Sequence, residues 1–332
     1  MNEQAALMRD SVKEFAKQYL VDKATTIERE GIGKDTLAAI LNQGFIGSNL
    51  PESKGGAGLD KLSHSVLIFE LARVSPSVAM HVLLQNDLVL PLLESKPELI
   101  KGILSGEFPG VYINPMMDGF IKPENDHLLK GVIGSSSKYA IAIHSDGKVY
   151  LDYGKSEIDN DSKPLGMRGL GTCNFNVEKS EVLGEKDLAD HLLLVSSLDI
   201  ASIFLGISQG ALDLAMEYTK VRKTFEHPLK DYEPVSFRLS ELMSELEIMK
   251  SALFSDSIEE IMMLMLKNQA ASFSRKVTRY ALQFHGGYGY LEDFGVEKFY
   301  RDSVALNAMI YRPTVDKRFL ATKLYSDKSG FL

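Results

Sequence analysis

Between residues 283 and 290 the chain reads Gln283-Phe284-His285-Gly286-Gly287-Tyr288-Gly289-Tyr290. Three glycines fall within four residues, framed by aromatics and set between two stretches of helical character. Glycine admits positive φ and lets another group come close to the backbone. Near a helix end, free backbone N–H groups beside such residues can face an anion, so the segment suits a phosphate or nucleotide. Glu297-Lys298-Phe299-Tyr300-Arg301-Asp302 follows, and then Ile310-Tyr311-Arg312-Pro313-Thr314. Other chemically able residues read as ordinary. Met262, Met263 and Met265 suit core packing on a helix, and Arg275, Lys276 and Arg279 suit a solvated face. The seven histidines are scattered, and no Cys/His spacing suits a metal.

The background excludes several classes. At 332 residues, 45% hydrophobic and 25% charged, the chain is ordinary globular material, long enough for two or three domains or one large one. A net charge of −8 without a basic block argues against nucleic-acid binding. The single Cys173 rules out an internal disulfide and suits a reducing cytosol. The N-terminus lacks a secretory pattern and no window is apolar enough to span a membrane, so a cytoplasmic protein without a membrane span is expected.

The elements that must position the glycine motif are mostly helical. Helical spacing recurs over Asp10–Leu20, Thr36–Leu41, Leu62–Arg73 and Pro76–Leu93, with a break at Ser75-Pro76. Lys54–Gly58 reads as a loop. From about residue 108 the pattern changes. Tyr139–Ile143 and Lys148–Tyr153 flank Ser145-Asp146-Gly147, a strong hairpin signal. Asn174–Leu183 also alternates. Helices return over 198–225, 234–267 and 270–284. The predicted fold class is α+β, with an N-terminal helical domain (1–107), a middle β-barrel or β-sandwich domain (108–186) and a C-terminal four-helix bundle (187–332). A site at the junction of these domains is expected.

This layout resembles the acyl-CoA dehydrogenase family over nearly the whole chain. Leu50-Pro51-Glu52 with Gly55-Gly56-Ala57-Gly58-Leu59 resembles the family's early glycine loop, and Glu70–Ser77 the helix boundary after it. Leu165-Gly166-Met167-Arg168-Gly169 with Thr172 resembles the turn before the last strands. Arg222-Lys223-Thr224-Phe225 and Pro228 resemble R-x-x-F-G-x-P, with Glu226 in place of the glycine. The 283–290 motif and Arg301-Asp302 complete the series. The resemblance implies FAD as cofactor and oxidation of acyl-CoA thioesters between Cα and Cβ. A carboxylate would take the α-proton while hydride leaves Cβ for the flavin, and hydrogen bonds to the thioester carbonyl would stabilise the enolate.

Carried over residue by residue, the resemblance assigns Arg222, Thr224, Phe225, Gln283, Gly286 and Gly287 to the adenosine diphosphate half of an FAD held by an adjacent subunit. Arginine can grip pyrophosphate in bidentate fashion. Taken alone, Arg222 reads as a solvated helix-end cation and the glycines as a helix–helix turn; in family order the cofactor reading is stronger. The flavin-ring elements are poor. Ile113 stands at the hydroxyl position of the family's T/S-E-P run, which is matched by Ile113–Phe120. Lys138–Ala142 stands for K-x-W-I-T/S, and the chain contains no Trp. The catalytic carboxylate of Y-E-G-T is replaced by Arg312, which cannot act as a base near neutrality. At the alternative base position stands Ser196, which is no base either. Asp199, nearly one turn on, is a weak candidate that reads better as a helix cap.

Three readings follow from the resemblance: a self-sufficient acyl-CoA dehydrogenase with an unrecognised base; a base-lacking subunit that completes a partner's FAD site in a heteromer; and a non-redox acyl-CoA-binding or scaffold protein. Elements facing a neighbour's cofactor persist while the chain's own ring contacts and base are gone, which favours the second. A homo- or hetero-oligomer is expected, with acyl-CoA as ligand and an electron-transfer flavoprotein as a further candidate partner.

Overall fold

The structure, a computed structural model, describes residues 2–113, 127–134, 137–158, 164–310 and 313–326. The Asn114–Phe120 run and the Tyr311-Arg312 pair lie outside these residues.

Helices come first: α1 (Glu3–Tyr19), α2 (Ala24–Glu30), α3 (Lys34–Asn42), α4 (Lys61–Val74), α5 (Pro76–Leu83), α6 (Leu90–Leu92) and α7 (Pro97–Leu104). The first helix begins well before Asp10 because Asn2 caps it, accepting the Ala5 N–H at 2.8 Å. Asp60 caps α4 in the same way through the Ser63 N–H at 2.7 Å. Pro76 opens α5 where the break was expected. The stretch to Leu93 is not one regular helix. A π-helical turn, Leu84–Val89, separates α5 from α6 and carries Gln85, Asn86 and Asp87 into the interior. Such bulges often mark functional positions.

Five strands follow: β1 (Gly110–Ile113), β2 (Leu128–Ile133), β3 (Tyr139–Ile143), β4 (Val149–Ile158) and β5 (Thr172–Gly184). They close a barrel in the order β1-β2-β5-β4-β3, with β1 and β3 parallel. The Asp146-Gly147 turn joins β3 to β4, with Gly147 at φ +83° and its N–H on the His144 carbonyl at 2.9 Å. Strand alternation sorts the side chains. Ala140 and Ala142 point into the barrel with Val132, Cys173 and Phe175. Tyr139, Ile141 and Ile143 point outward into the main helical core.

The remaining helices are α8 (Lys186–Val195), α9 (Ser197–Val221), α10 (Glu233–Leu253), α11 (Glu260–His285), α12 (Val296–Met309) and α13 (Pro313–Ser326). A two-stranded hairpin, β6 (Lys223–Thr224) and β7 (His227–Pro228), follows α9 and ends it earlier than expected. The helical break falls at 254–259 rather than near 268. There the Ser255 hydroxyl bonds the Ser257 carbonyl at 2.9 Å, the local side-chain bonding that competes with helix. Helices α9 to α12 pack on one another as a bundle.

Helix α9 is long and apolar enough to cross a membrane, but 89% of that window is buried inside the protein, as in a core helix. Two glycines let it lie directly on α4. A Cβ at Gly206 would stand 2.5 Å from the Phe69 carbonyl, and one at Gly210 would stand 2.3 Å from that of Arg73.

Candidate functional site

Arg222, Thr224, Gln283, Gly286 and Gly287 ring one surface cavity of about 420 Å³. Helix α9 ends at Val221 and leaves Arg222 extended, with its guanidinium 5.7 Å above the Tyr288 ring. Helix α11 ends at His285, whose Nδ1–H donates to the Ala281 carbonyl at 2.8 Å and whose ring stacks on Tyr218 at 4.3 Å. Burial pulls its pKa down, so His285 is a neutral packing residue. Gly286 needs its freedom for φ +57°. Gly287 has no such need, and a Cβ at either position would meet nothing within 4 Å. The chain itself does not use the space beside this backbone. An arginine, an amide, a hydroxyl and two open glycines around one hollow suit a phosphate-bearing ligand, so the adenosine diphosphate half of FAD fits.

Phe225 is not part of this ring. It is 88% exposed at the tip of the β6–β7 hairpin, with φ +48° beside Glu226 at φ +70°. Positive φ at both central residues of a two-residue hairpin is the type I′ requirement, usually met by Asn-Gly.

The flavin-ring half does not fit among the described residues. Ile113 packs with Leu88, Ile141 and Ile143 around a gap of about 10 Å³. Ala140 and Ala142 are fully buried inside the barrel. Neither set faces a space that a ring system could enter.

The positions considered for a base are closed as well. Ser196 is buried and its hydroxyl donates to the Leu192 carbonyl at 2.7 Å. Asp199 is not a helix cap: α9 starts at Ser197 without a side-chain cap, and Asp199 Oδ1 accepts from the Ser65 hydroxyl at 2.6 Å in the core. Burial, with Asp87 beside it, pushes Asp199 up to about 7. His64 and Asp87 are its partners in this cluster, and no spacing in the sequence brings the three together. Arg312 lies outside the described residues.

A second cavity, of about 680 Å³, opens between α2, α5, the barrel and α12. His81, Gln85, Glu28, Arg168 and Arg301 are on its walls, and Ser196 and Asp199 are not. Burial pulls His81 down to about 4, and its ring packs edge-on against Phe108 at 4.7 Å. Nε2 of His81 and Oε1 of Gln85 make no hydrogen bond. The only hint in the sequence was the spacing of His81 and Gln85, four apart in a mostly apolar stretch.

Comparison with known proteins agrees with this architecture. Family models for the acyl-CoA dehydrogenase N-terminal and C-terminal domains match residues 2–101 and 187–309. The chain is 26% identical to the 3-(aryl)acrylate reductase of Clostridium sporogenes, covering 90% of this chain and 93% of the relative. It is also 26% identical to the caffeyl-CoA reductase-Etf complex subunit CarC of Acetobacterium woodii, over 91% and 93%. A glutaryl-CoA dehydrogenase from Mycobacterium smegmatis, solved in complex with FADH2, shares the fold at a TM-score of 0.82 and 14% identity, covering 100% of this chain and 97% of that one. The chain is a member of the acyl-CoA dehydrogenase family, whose proteins bind FAD.

Proposed function

We propose that this chain is a base-lacking acyl-CoA dehydrogenase-family subunit that completes the FAD site of a partner subunit in a heteromer. The observation that carries the reading is the contrast between two halves of one cofactor site. The hollow around Arg222, Gln283, Gly286 and Gly287 is open to an outside group, while the counterparts of the flavin-ring contacts are packed shut. In such a complex FAD supplies the hydride acceptor for the Cα–Cβ bond of an acyl-CoA. This chain's Arg222 neutralises pyrophosphate charge, and its glycine backbone comes up against the same group. Exposed Phe225 and Tyr290, each 88% accessible, stand beside this hollow in sequence and suit a protein contact. One relative is named as a subunit of an Etf complex, which supports an electron-transferring flavoprotein as a further partner.

The test is co-expression with a family member that retains Y-E-G-T, followed by flavin stoichiometry and acyl-CoA oxidation. The chain alone is expected to be colourless or weakly flavinylated and inactive, and Arg222→Ala is expected to lower flavin retention in the complex. Strong flavin absorbance with acyl-CoA turnover by the chain alone would overturn the reading.

A further inference from the structure

We propose that His64, Asp87 and Asp199 form a site for one divalent transition-metal ion of the Zn²⁺ or Mn²⁺ class, tying α4, the π-helical turn and α9 together. A possible ligand atom from each residue lies within 4.8 Å of the other two. His64 Nε2 stands 3.2 Å from Asp87 Oδ1. Two ligands each about 2.1 Å from one ion, at tetrahedral or octahedral angles, lie about 3 Å apart.

One atom in this cluster lacks the partner that burial demands. Asp87 Oδ2 makes no hydrogen bond although the residue is only 7% exposed, and His64 Nε2 has the 3.2 Å approach to Asp87 Oδ1 as its one polar contact. Buried polar atoms are nearly always paired. The other atoms are already oriented as supporting contacts to a metal ligand would require. His64 Nδ1 is 2.8 Å from the Ser48 hydroxyl, which itself accepts from the Asn86 amide at 2.9 Å. Asp199 Oδ1 accepts from Ser65, and Asp87 Oδ1 from the Asn49 amide at 3.2 Å. When Nδ1–H donates to Ser48, the Nε2 lone pair faces the carboxylates.

Two carboxylates share the core with one imidazole, and without an ion a proton on His64 and one on Asp199 balance them. Lys61 acts on the cluster from a distance, but its Nζ donates to the Val195 carbonyl at 3.1 Å. A divalent cation with neutral His64 balances both carboxylates, and one nitrogen with two oxygens is a ligand set for Zn²⁺, Mn²⁺ or Fe²⁺. None of the three residues lines the larger cavity, so the ion would be structural, and its binding would be felt as folding stability. This inference is independent of the heteromer.

The test uses the full chain, stripped with chelator and reloaded with Zn²⁺ or Mn²⁺. Elemental analysis after dialysis is expected to find about one ion per chain, with a melting temperature raised by roughly 5 °C relative to the stripped protein. His64→Gln and Asp199→Asn are expected to lose both the ion and the shift. Asn keeps an acceptor for Ser65 and removes one buried charge, so the second variant folds even where the first does not. Failure of the wild-type chain to retain either ion or to shift with about 100 µM metal overturns the site. So does an unchanged ion content in folded Asp199→Asn. In either case the cluster holds protons only.

Discussion

Asp302, fully buried on α12, accepts the backbone N–H of Met167 at 2.6 Å, and Met167 is held at φ +54°. The adjacent Gly166 lies so close that a Cβ would stand 2.3 Å from the Arg301 carbonyl. The turn ahead of β5 is thereby fixed to α12. Asp302→Ala leaves a buried N–H unpaired beside a strained residue and is expected to cost about 1–3 kcal/mol. Asp302→Asn keeps an acceptor and is expected to cost less. Urea unfolding of the two variants, compared with the parent, checks the order.

Gly206→Ala and Gly210→Ala place a methyl group against the α4 backbone, which cannot move aside as a flexible side chain would. Each is expected to destabilise by about 1–3 kcal/mol, against a gain of less than about 1 kcal/mol from helix propensity. A rise in melting temperature for either variant would refute the contact geometry.

Gly287→Ala separates the two uses of the glycine motif. Nothing within 4 Å opposes the new methyl group and Gly287 has no positive φ, so the isolated chain is expected to keep its stability within about 0.5 kcal/mol. Flavin retention by the co-purified complex is expected to fall. A variant equal to the parent on both measures would remove the glycine from the cofactor reading.

Glu226→Gly relieves a left-handed residue at the β6–β7 turn. The expected gain is about 1 kcal/mol, read as a higher unfolding midpoint. An unchanged midpoint would mean that the turn relaxes away from positive φ in solution.

His81 gives the fold a pH dependence of defined sign. Its folded pKa of about 4 lies below the ordinary 6.5 because burial disfavours the imidazolium. The stability linked to it is therefore fully present above 6.5 and is lost as pH falls through the window from 6.5 to 4. The total is on the order of 3 kcal/mol. His81→Leu, apolar and of similar bulk, is expected to flatten stability within that window. An unaltered slope would show that other groups dominate acid unfolding.

The break at Pro76, the β3–β4 hairpin and the end of α11 could be read from the sequence because their signals are local, whereas the start of α1, the end of α9 and the break between α10 and α11 were misplaced. Pro76, Asp146-Gly147 and the glycines at 286–287 act within a few residues of themselves. Five of the six proposed cofactor residues proved to share one hollow, since two nearby helix ends carry them. Phe225 could not be assigned from its motif alone, because its direction depends on a turn whose φ values Phe-Glu does not announce. The His64–Asp87–Asp199 cluster was invisible for another reason. Its members come from three elements, with Asp199 more than a hundred residues from the other two, and Asp199 resembled a cap because Ser-Ser-Leu-Asp ahead of a helix is a local pattern. The π-helical turn that carries Asp87 inward is likewise a product of tertiary packing.

The contact of α9 with α4 also bears on synthesis. Eleven residues of α4 are buried, and part of that cover is made by Gly206 and Gly210 on a helix translated well over a hundred residues later. Until the ribosome has passed that point, the face of α4 that α9 covers stays open, while α1 and α5 cover its other sides. That face of the nascent N-terminal third is a stage at which aggregation competes with folding. A chain interrupted before α9 would lack the close cover that Gly206 and Gly210 bring to α4.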